Sequence, residues 1–374
     1  MANTGIIIEE RECNSGQRMG YACLNAPESL NALTLPMIRK LTEALNQWRL
    51  DPAISFVWLE GAGDRAFCAG GDIVKLYDSI CQDEQSGSSS YAFKFFSEEY
   101  RLDFLIHNFS KPIICWGHGV VMGGGLGIMT GASHRIVTEA SRIAMPETSI
   151  GLFPDVGGTW FLSRMTGGSG LYLGLTGASC NATDAIELGW ADHFLPSSQK
   201  ASLLESLSRL QWSSGESNHS RVTQLLRALQ EQHKAQLPQG QIAEHRDLVR
   251  QVTRAETLPE VVDSILSLPA QDGWLRKSQE SLSGACPTSL HLVWKQVRDG
   301  AALSLPEVFR QELIMALQCT RHGEFKEGVR ALLIDKDRRP AWRYQDVRSV
   351  PESYIEEFFI PPWSQNPLDD LGIC

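Results

Sequence analysis

Two carboxylates in residues 145–158, which read MPETSIGLFPDVGG, are placed where they can take part in acid–base or nucleophilic chemistry. Glu147 directly follows one proline and Asp155 follows another. Proline fixes its own φ, so each acid extends from a rigid point of the backbone. The neighbours are apolar, and an apolar environment raises the pKa of a carboxyl group because it disfavours the charged form. A lone Pro-Glu pair more often begins a helix or a turn, so the rest of the chain must decide between these interpretations.

Two glycine-rich loops, FCAGGD at residues 67–72 and MGGGLG at 122–127, each follow an apolar strand-like run and lead into a helix-like one. Glycine is permissive in tight turns, and it also lets backbone N–H groups come close to a ligand oxygen. Two such loops can supply the two donors of an oxyanion hole, and the candidate donors are the N–H groups of Gly71 and Gly124. Neither loop is followed by a Walker lysine, and GGGLG does not fit the dinucleotide pattern G-x-G-x-x-G.

The elements that position these loops alternate between strand and helix. Apolar runs predict strands at residues 5–9, 19–24, 56–60, 112–118 and 134–138, and helical spacing predicts helices at 34–48, 72–80, 91–108 and 126–131. The polar, serine-rich residues 83–90 are predicted to form a surface loop. Strand, glycine loop, helix and strand follow one another twice before residue 150, which indicates an α/β fold. Helical patterns dominate after residue 161, and the proline-rich residues from 338 on are predicted to form an extended tail.

The composition excludes several classes of partner. With 374 residues, a net charge of −10 and a pI of about 5.4, the chain offers no case for binding nucleic acid or an anionic membrane. Its best candidate for a membrane span, residues 113–121, is too short and contains His118. The nine cysteines have no CxxC or zinc-ligand spacing, so no metal is expected and the thiols are expected to be reduced. Residues 1–12, MANTGIIIEERE, do not resemble a signal or transit peptide, and a cytoplasmic location is predicted.

FCAGGD, HGVVMGGGLG and MPETSIGLFPDVGG, in this order and at this spacing, resemble the crotonase (enoyl-CoA hydratase/isomerase) superfamily. The sequence is most similar to the 3-hydroxyisobutyryl-CoA hydrolase branch, through GLFPDVGG and through LIDKDRRPAW at residues 333–342. This resemblance implies a crotonase-like spiral of ββα repeats with a helical C-terminal region. We therefore predict a spiral core with an acyl-CoA site in residues 1–200, and a helical region with an extended tail in residues 201–374.

The resemblance also implies which residues bind and act. The thioester oxygen would accept from the N–H groups of Gly71 and Gly124, and the backbone around Ala69 would meet the adenine of CoA. Glu147 and Asp155 are the predicted catalytic pair. Glu99, Ala69 and Asp72 are the predicted substrate-binding residues, although Glu99 by itself also fits the solvated face of an amphipathic helix. No cofactor is expected, since CoA is part of the substrate.

One departure from the superfamily narrows the chemistry. Enoyl-CoA hydratases carry a second glutamate shortly after the glycine loop, and the matching position here is Gly127. Without that acid, hydrolysis of 3-hydroxyisobutyryl-CoA, as in valine breakdown, is favoured over water addition to a double bond. A hydratase or isomerase, and a non-catalytic acyl-CoA-binding protein, are the alternatives. Glu147 can be a general base or a nucleophile, and both a homo-oligomer and a monomer stay open.

Overall fold

A computed structural model describes residues 4–86, 90–212, 217–269 and 272–373. Contacts within the chain divide it into two units, and each unit is assembled from three separate stretches. The first unit comprises Met1–Gly71, Leu102–Ile143 and Cys180–Gln241. The second unit comprises Asp72–Arg101, Ala144–Ser179 and Ile242–Cys374. The boundary predicted after residue 200 stays a prediction.

The strands form two sheets. The nine strands of the described residues are β1 Ile6–Glu12, β2 Arg18–Leu24, β3 Ile54–Gly61, β4 Ala66–Cys68, β5 Ile113–Gly117, β6 Val120–Met122, β7 His134–Val137, β8 Arg142–Ala144 and β9 His193–Phe194. The larger sheet has the order β1-β2-β3-β5-β7-β9, and the smaller sheet has the order β4-β6-β8. In the larger sheet β1 pairs antiparallel with β2, whereas β2, β3, β5, β7 and β9 run parallel to one another. The predicted α/β class is confirmed.

The helices are numbered in chain order. They are α1 Leu35–Leu50, α2 Ile73–Ser86, α3 Ser90–His107, α4 Gly124–Gly131, α5 Gly158–Leu162, α6 Ser169–Thr176, α7 Ala182–Glu187, α8 Lys200–Arg209, α9 Ser217–His233, α10 Gln241–Val252, α11 Leu258–Leu266, α12 Gly273–Gly284, α13 Pro287–Asp299, α14 Leu305–His322, α15 Glu324–Val329 and α16 Glu352–Glu356. The loop predicted at residues 83–90 is wrong at both ends, because α2 continues to Ser86 and α3 begins at Ser90. Its middle, residues 87–89, lies outside the described residues.

A repeat links the two sheets along the chain. A strand of the larger sheet is followed by a strand of the smaller sheet and then by a helical segment: β3–β4–α2, then β5–β6–α4, then β7–β8 and the 3₁₀ turn Glu147–Ile150. The strands of the smaller sheet are only three residues long, so each glycine loop lies within a few residues of a helix start. The repeat therefore delivers FCAGGD, MGGGLG and Glu147 at equivalent points of successive turns.

The first unit has a large apolar core on one face of the larger sheet. Trp58 of β3 stacks on Trp116 of β5 at 6.0 Å between ring centroids, and Phe56 stacks on Trp212 at 4.4 Å. Helices α8 and α9 cover this face with buried leucines, among them Leu203. Burial of large side chains on adjacent parallel strands fixes their register, which in turn fixes the strand ends that carry the glycine loops.

The second unit consists mostly of helices. The helix α13 approaches α6 so closely that a Cβ on Gly174 would lie 2.8 Å from Val293 Cγ1. The last residues are anchored to α14, where Arg310 donates to the carbonyls of Leu368 and Leu371 over 3.1 and 2.7 Å. These contacts hold the predicted tail, which also contains α16, against the helices of this unit.

Candidate active site

The two glycine loops of the first unit lie against each other. A Cβ on Gly125 would lie 2.3 Å from the carbonyl oxygen of Cys68, so only glycine fits at that position. A Cβ on Gly70, whose φ is +112°, would lie 3.9 Å from the backbone nitrogen of Gly124. The absence of side chains at these two points therefore allows the backbone of one loop to approach the backbone of the other.

The N–H groups of Gly71 and Gly124 have no hydrogen-bond acceptor within the part of the chain that the structure describes. Gly124 is the first residue of α4, and the first N–H groups of a helix have no partner inside the helix. Gly71 follows Gly70, whose carbonyl accepts from Leu33 N–H over 2.8 Å. Within the described residues, neither the Gly71 nor the Gly124 N–H donates to a carbonyl. An oxyanion hole needs two such donors, and this role of Gly71 and Gly124 stays a prediction.

The Glu147 side chain is buried without a hydrogen-bond partner at one oxygen. Glu147 begins the 3₁₀ turn Glu147–Ile150 and is 5% exposed. Its backbone carbonyl accepts from Leu152 N–H over 3.1 Å, and its Oε2 atom has no partner among the described residues. Burial and the nearby charges of Asp155 and Glu99 raise the pKa of Glu147 well above its ordinary value. A carboxyl group in this state is a strong base whenever it is ionised.

The Glu147 turn is fixed by close backbone packing against α15. A Cβ on Gly151 would lie 2.3 Å from the carbonyl oxygen of Glu324, and a Cβ on Gly328 would lie 2.4 Å from the carbonyl carbon of Ile150. Gly151 also has φ +70°, a conformation that glycine adopts without strain. The predicted motif GLFPDVGG thus begins with a glycine that allows α15 to touch the turn of Glu147.

Asp155 accepts a hydrogen bond from a buried tyrosine. Tyr100 Oη donates to Asp155 Oδ2 over 2.6 Å, and the two side chains are 0% and 4% exposed. Burial raises the pKa of Asp155 to about 6, although the Tyr100 hydroxyl acts in the opposite direction. Burial, together with the charge of Asp155, raises the pKa of Tyr100 well above its ordinary value, so this tyrosine stays a donor.

Glu99 joins Glu147 and Asp155 in the second unit. It lies on α3, is 2% exposed, and its Oε1 atom has no partner among the described residues. The alternative that Glu99 lies on a solvent-exposed helix face is therefore wrong. Burial and the charge of Asp155 raise its pKa well above the ordinary value. Burial, and the charge of Asp155 near Glu99 and Glu147, therefore favour the protonated forms of these two carboxyls.

The backbone beside Asp155 is strained and is held by two residues of the C-terminal helices. Val156, a β-branched residue, has φ +52°, which costs about 1–3 kcal/mol. Glu312 of α14 accepts from Gly157 N–H over 2.8 Å and from Thr159 N–H over 2.9 Å. Gln296 of α13 donates to the Pro154 carbonyl over 2.9 Å. This segment therefore has hydrogen-bonded partners on both sides of Asp155.

The two remaining predicted residues have ordinary structural contacts. Ala69 of the first unit donates its N–H to the Leu30 carbonyl over 3.0 Å. Asp72 opens the second unit, where its Oδ1 accepts from Lys75 N–H over 3.0 Å and so caps α2. Asp72 therefore caps a helix in the structure. Substrate binding by Ala69 and Asp72 stays a prediction.

Sequence reasoning missed three residues of this site. Tyr100 stands in the SEEY motif beside Glu99, and that position was its only signal. Glu312 and Gln296 lie within amphipathic helices, where a polar residue is usually solvent-facing, and both are buried at 0% and 1% exposure. No local pattern distinguishes such residues before the fold is known.

Two further properties bear on the partners. No helix of the described residues is long and apolar enough to cross a bilayer. In that same part of the chain, no three His, Cys, Asp or Glu side chains are grouped so that they could hold a metal ion. The eight cysteines that the structure describes are all free thiols, and Cys374 lies outside it.

Comparisons with known proteins extend over most of the chain. The family model described as enoyl-CoA hydratase/isomerase matches residues 19–359. The protein named mitochondrial 3-hydroxyisobutyryl-CoA hydrolase of Xenopus laevis is 38% identical over 349 residues, which cover 91% of this chain and 86% of that protein.

Solved structures agree with this match. A structure described as a carnitinyl-CoA dehydratase from Mycobacterium thermoresistibile superposes with a TM-score of 0.84 at 30% identity, covering 97% of this chain and 98% of the other. One described as an enoyl-CoA hydratase from Rhodobacter sphaeroides gives 0.80 at 31% identity, covering 95% and 97%. These matches confirm the predicted crotonase fold and the resemblance to the hydrolase branch. The chain belongs to the enoyl-CoA hydratase/isomerase family.

Proposed function

We propose that this protein is a thioesterase that hydrolyses 3-hydroxyisobutyryl-CoA, or a similar short 3-hydroxyacyl-CoA, to the free acid and CoA. The observation that carries the proposal is the buried pair Glu147 and Asp155 in a chain whose curated relatives, 38% identical over 91% of it, are named as this hydrolase. The proteins of the two solved structures are described as a hydratase and a dehydratase, so the reaction must be argued from this chain's own residues.

Hydrolysis fits the residues better than hydration does. Water addition to a double bond needs an acid and a base on neighbouring carbons, and family hydratases take one of them from the position of Gly127. Gly127 is a buried residue inside α4 and carries no side chain that can transfer a proton. Thioester hydrolysis needs one base or nucleophile and donors for one oxyanion, and Glu147, Gly71 and Gly124 are suited to these roles.

In the first form of the mechanism, Glu147 is a general base. Ionised Glu147 takes a proton from water as the water oxygen bonds to the thioester carbon. The carbonyl oxygen becomes an oxyanion that accepts from the N–H groups of Gly71 and Gly124, each worth about 3–4 kcal/mol by analogy with other oxyanion holes. Collapse of the tetrahedral intermediate breaks the C–S bond, and the CoA thiolate takes up the proton. The raised pKa of Glu147 favours this transfer.

In the second form, Glu147 is a nucleophile. Its carboxylate bonds to the thioester carbon, the C–S bond breaks, and an acyl–Glu147 anhydride remains for water to hydrolyse. Label in Glu147 after a single turnover in ¹⁸O-labelled water demonstrates the second form. Attack by water on the Glu147 carbon of the anhydride leaves label in the protein, whereas a general base leaves all of the label in the product acid.

The remaining predicted residues bind the substrate in this proposal. Glu99 and Asp155 contact the 3-hydroxyl end of the acyl group, and the backbone at Ala69 meets the adenine. Asp72 borders that segment through its place in FCAGGD. All steps use side chains, backbone N–H groups and water, and we propose that no further cofactor takes part.

The cellular setting is also a proposal. Action on 3-hydroxyisobutyryl-CoA would place the enzyme in valine breakdown. A reducing compartment is supported by the free thiols, and we propose the cytoplasm, although the curated relatives are named as mitochondrial proteins. Fractionation of cells that make the full-length protein distinguishes these locations, and light scattering of the purified protein decides between a monomer and a homo-oligomer.

A panel of three thioesters tests the reaction. The purified protein is mixed with 3-hydroxyisobutyryl-CoA, isobutyryl-CoA and crotonyl-CoA, and free thiol and enone absorbance are followed together. We expect thiol release from the first substrate, slower release from the second because the hydroxyl contacts are lost, and none from the third. Loss of crotonyl-CoA absorbance without thiol release would favour a hydratase. Binding of CoA without turnover of any substrate would favour a non-catalytic protein.

A further inference from the structure

The segment that carries Asp155 adopts a conformation that it would not keep by itself. Val156 has φ +52° and Gly157 has φ +90°, so two consecutive residues are left-handed. Glycine accepts this conformation readily, whereas for valine, with two branches on Cβ, it is an outlier. Such strain persists only where surrounding contacts over-determine it. The contacts that hold Val156 in place therefore also fix the direction in which Asp155 points.

Glu312 supplies two of these contacts. Both of its oxygens are used, since Oε2 accepts from Gly157 N–H at 2.8 Å and Oε1 accepts from Thr159 N–H at 2.9 Å. The side chain is completely buried, so no water competes for the two backbone N–H groups. These donors lie two and four residues after Asp155, on the far side of the strained valine.

Gln296 holds the same segment at its other end. Its Nε2 donates to the Pro154 carbonyl at 2.9 Å and to Thr159 Oγ1 at 2.7 Å. The two hydrogen bonds therefore join Pro154, directly before Asp155, to Thr159, four residues after it. Glu312 and Gln296 come from different helices, α14 and α13, so the segment is held from two directions.

We propose that Glu312 is a positioning residue of the reaction, which keeps residues 155–159 in the strained conformation that orients Asp155, with Gln296 as its second support. This inference rests on the proposed thioesterase function for its kinetic test. In this proposal the C-terminal helices α13 and α14 act through Asp155, because they carry the two residues that hold its segment. The charges of Glu312 and Asp155 also interact, and burial together with this interaction raises the pKa of Glu312 to about 8 against the effect of its two donors.

Glu312→Gln tests the proposal, because it keeps the size of the side chain but turns an NH₂ group toward one of the two backbone donors. We expect kcat for CoA release to fall about 10- to 100-fold, as a displacement of catalytic groups by about 1 Å does. KM for isobutyryl-CoA should change by less than about twofold, because that substrate lacks the 3-hydroxyl that Asp155 contacts. The acid limb of the pH profile should keep its position, because Glu312, with a pKa of about 8, is already uncharged at the pH where Asp155 titrates.

Glu307→Gln is the matched control, with the same chemical change on the same helix. Glu307 is exposed and accepts from Ser304 N–H and Oγ at the start of α14. We expect its kcat and pH profile to equal those of the wild type. A kcat of Glu312→Gln within twofold of the wild type, or an equal loss in Glu307→Gln, would overturn the proposal.

Two further measurements cover the other outcomes. If Glu312→Gln does not fold, Gln296→Met, which keeps the size and removes both donors, should lower kcat several-fold at an unchanged KM for isobutyryl-CoA, and an unchanged kcat would refute the proposal. Hydrogen exchange of the peptide that contains residues 155–159 needs no substrate. It should be faster in either variant and unchanged in Glu307→Gln. Equal exchange in all proteins would refute the positioning role, whereas absence of wild-type CoA release would refute only the proposed function.

Discussion

Replacing Tyr100 by phenylalanine removes one hydroxyl group from beside Asp155 and leaves the ring in place. The hydroxyl donates to Asp155 Oδ2 over 2.6 Å. The ring lies 5.9 Å from that of Phe309 and 6.0 Å from that of Phe96, so phenylalanine fills the same space. The pKa of Asp155, which burial has raised to about 6, should rise further, because the ionised form loses a donor.

The size of the effect follows from the strength of that hydrogen bond. A hydrogen bond to a charged group contributes about 1.5–3 kcal/mol, and about 1.4 kcal/mol corresponds to one pH unit in a titration midpoint. The midpoint for Asp155 should therefore move up by about one to two pH units. The pKa values of Glu99 and Glu147 are also raised, in part by the charge of Asp155, so the limb of a pH profile belongs to the three carboxyls together. The loss of the Tyr100 donor determines the direction in which that limb moves.

The assay is kcat/KM for CoA release from 3-hydroxyisobutyryl-CoA, measured from mildly acidic to mildly alkaline pH. In Tyr100→Phe the acid limb should move to higher pH while the alkaline plateau is largely kept. Tyr172→Phe is the control, since Tyr172 is a buried tyrosine of the same unit that stacks on Trp274 at 5.4 Å. An acid limb that stays in place, or moves to lower pH, in a folded Tyr100→Phe protein would refute the assignment of Asp155.

Two further predictions concern stability and the glycine loops. The pKa of Asp155 is raised from 3.8 to about 6, so the folded protein binds this proton more tightly than the unfolded chain does. Relative to high pH, protonation of Asp155 adds about 3 kcal/mol to the free energy of unfolding below pH 3.8, and this gain is lost as the pH rises through about 6. Asp155→Asn should therefore be more stable than the wild type toward urea at mildly alkaline pH, with no gain at strongly acidic pH; an equal difference at both would contradict this. In Gly125→Ala the new Cβ would overlap the Cys68 carbonyl at 2.3 Å and push the loops apart, so kcat should fall by about 10²- to 10³-fold, as for a lost oxyanion donor. Gly284→Ala, where nothing lies within 4 Å, should keep full activity, and an equal loss in both variants would count against the loop geometry.

Local features of the sequence predicted much of the fold. The helix predicted at residues 34–48 is α1, and Thr34 Oγ1 accepts from Met37 N–H at 3.4 Å at its start. The apolar runs predicted β2, β3 and β5, because parallel strands buried on both faces need continuous apolar residues. The burial of Glu147 and Asp155 was expected because their apolar neighbours and prolines are adjacent in the sequence. In each case the cause lies within a few residues of the feature.

The features that were missed depend on distant parts of the chain. Glu312 meets the Asp155 segment across 155 residues, and Gln296 meets it across 142 residues. The left-handed φ of Val156 has no signature in the sequence, since valine is the residue least expected there. The serine-rich residues near position 85 favoured a loop, yet α2 continues to Ser86, which shows tertiary packing overriding local propensity.

The central claim is that Glu147 carries thioester hydrolysis, and the direct test is the rate of CoA release from 3-hydroxyisobutyryl-CoA by Glu147→Gln. The exposed Glu352→Gln serves as the matched control, because Glu352 lies on α16 at the surface. The account predicts a loss of about 10²- to 10⁴-fold for Glu147→Gln in a folded protein, and no loss for the control. CoA release by Glu147→Gln at the wild-type rate would contradict it.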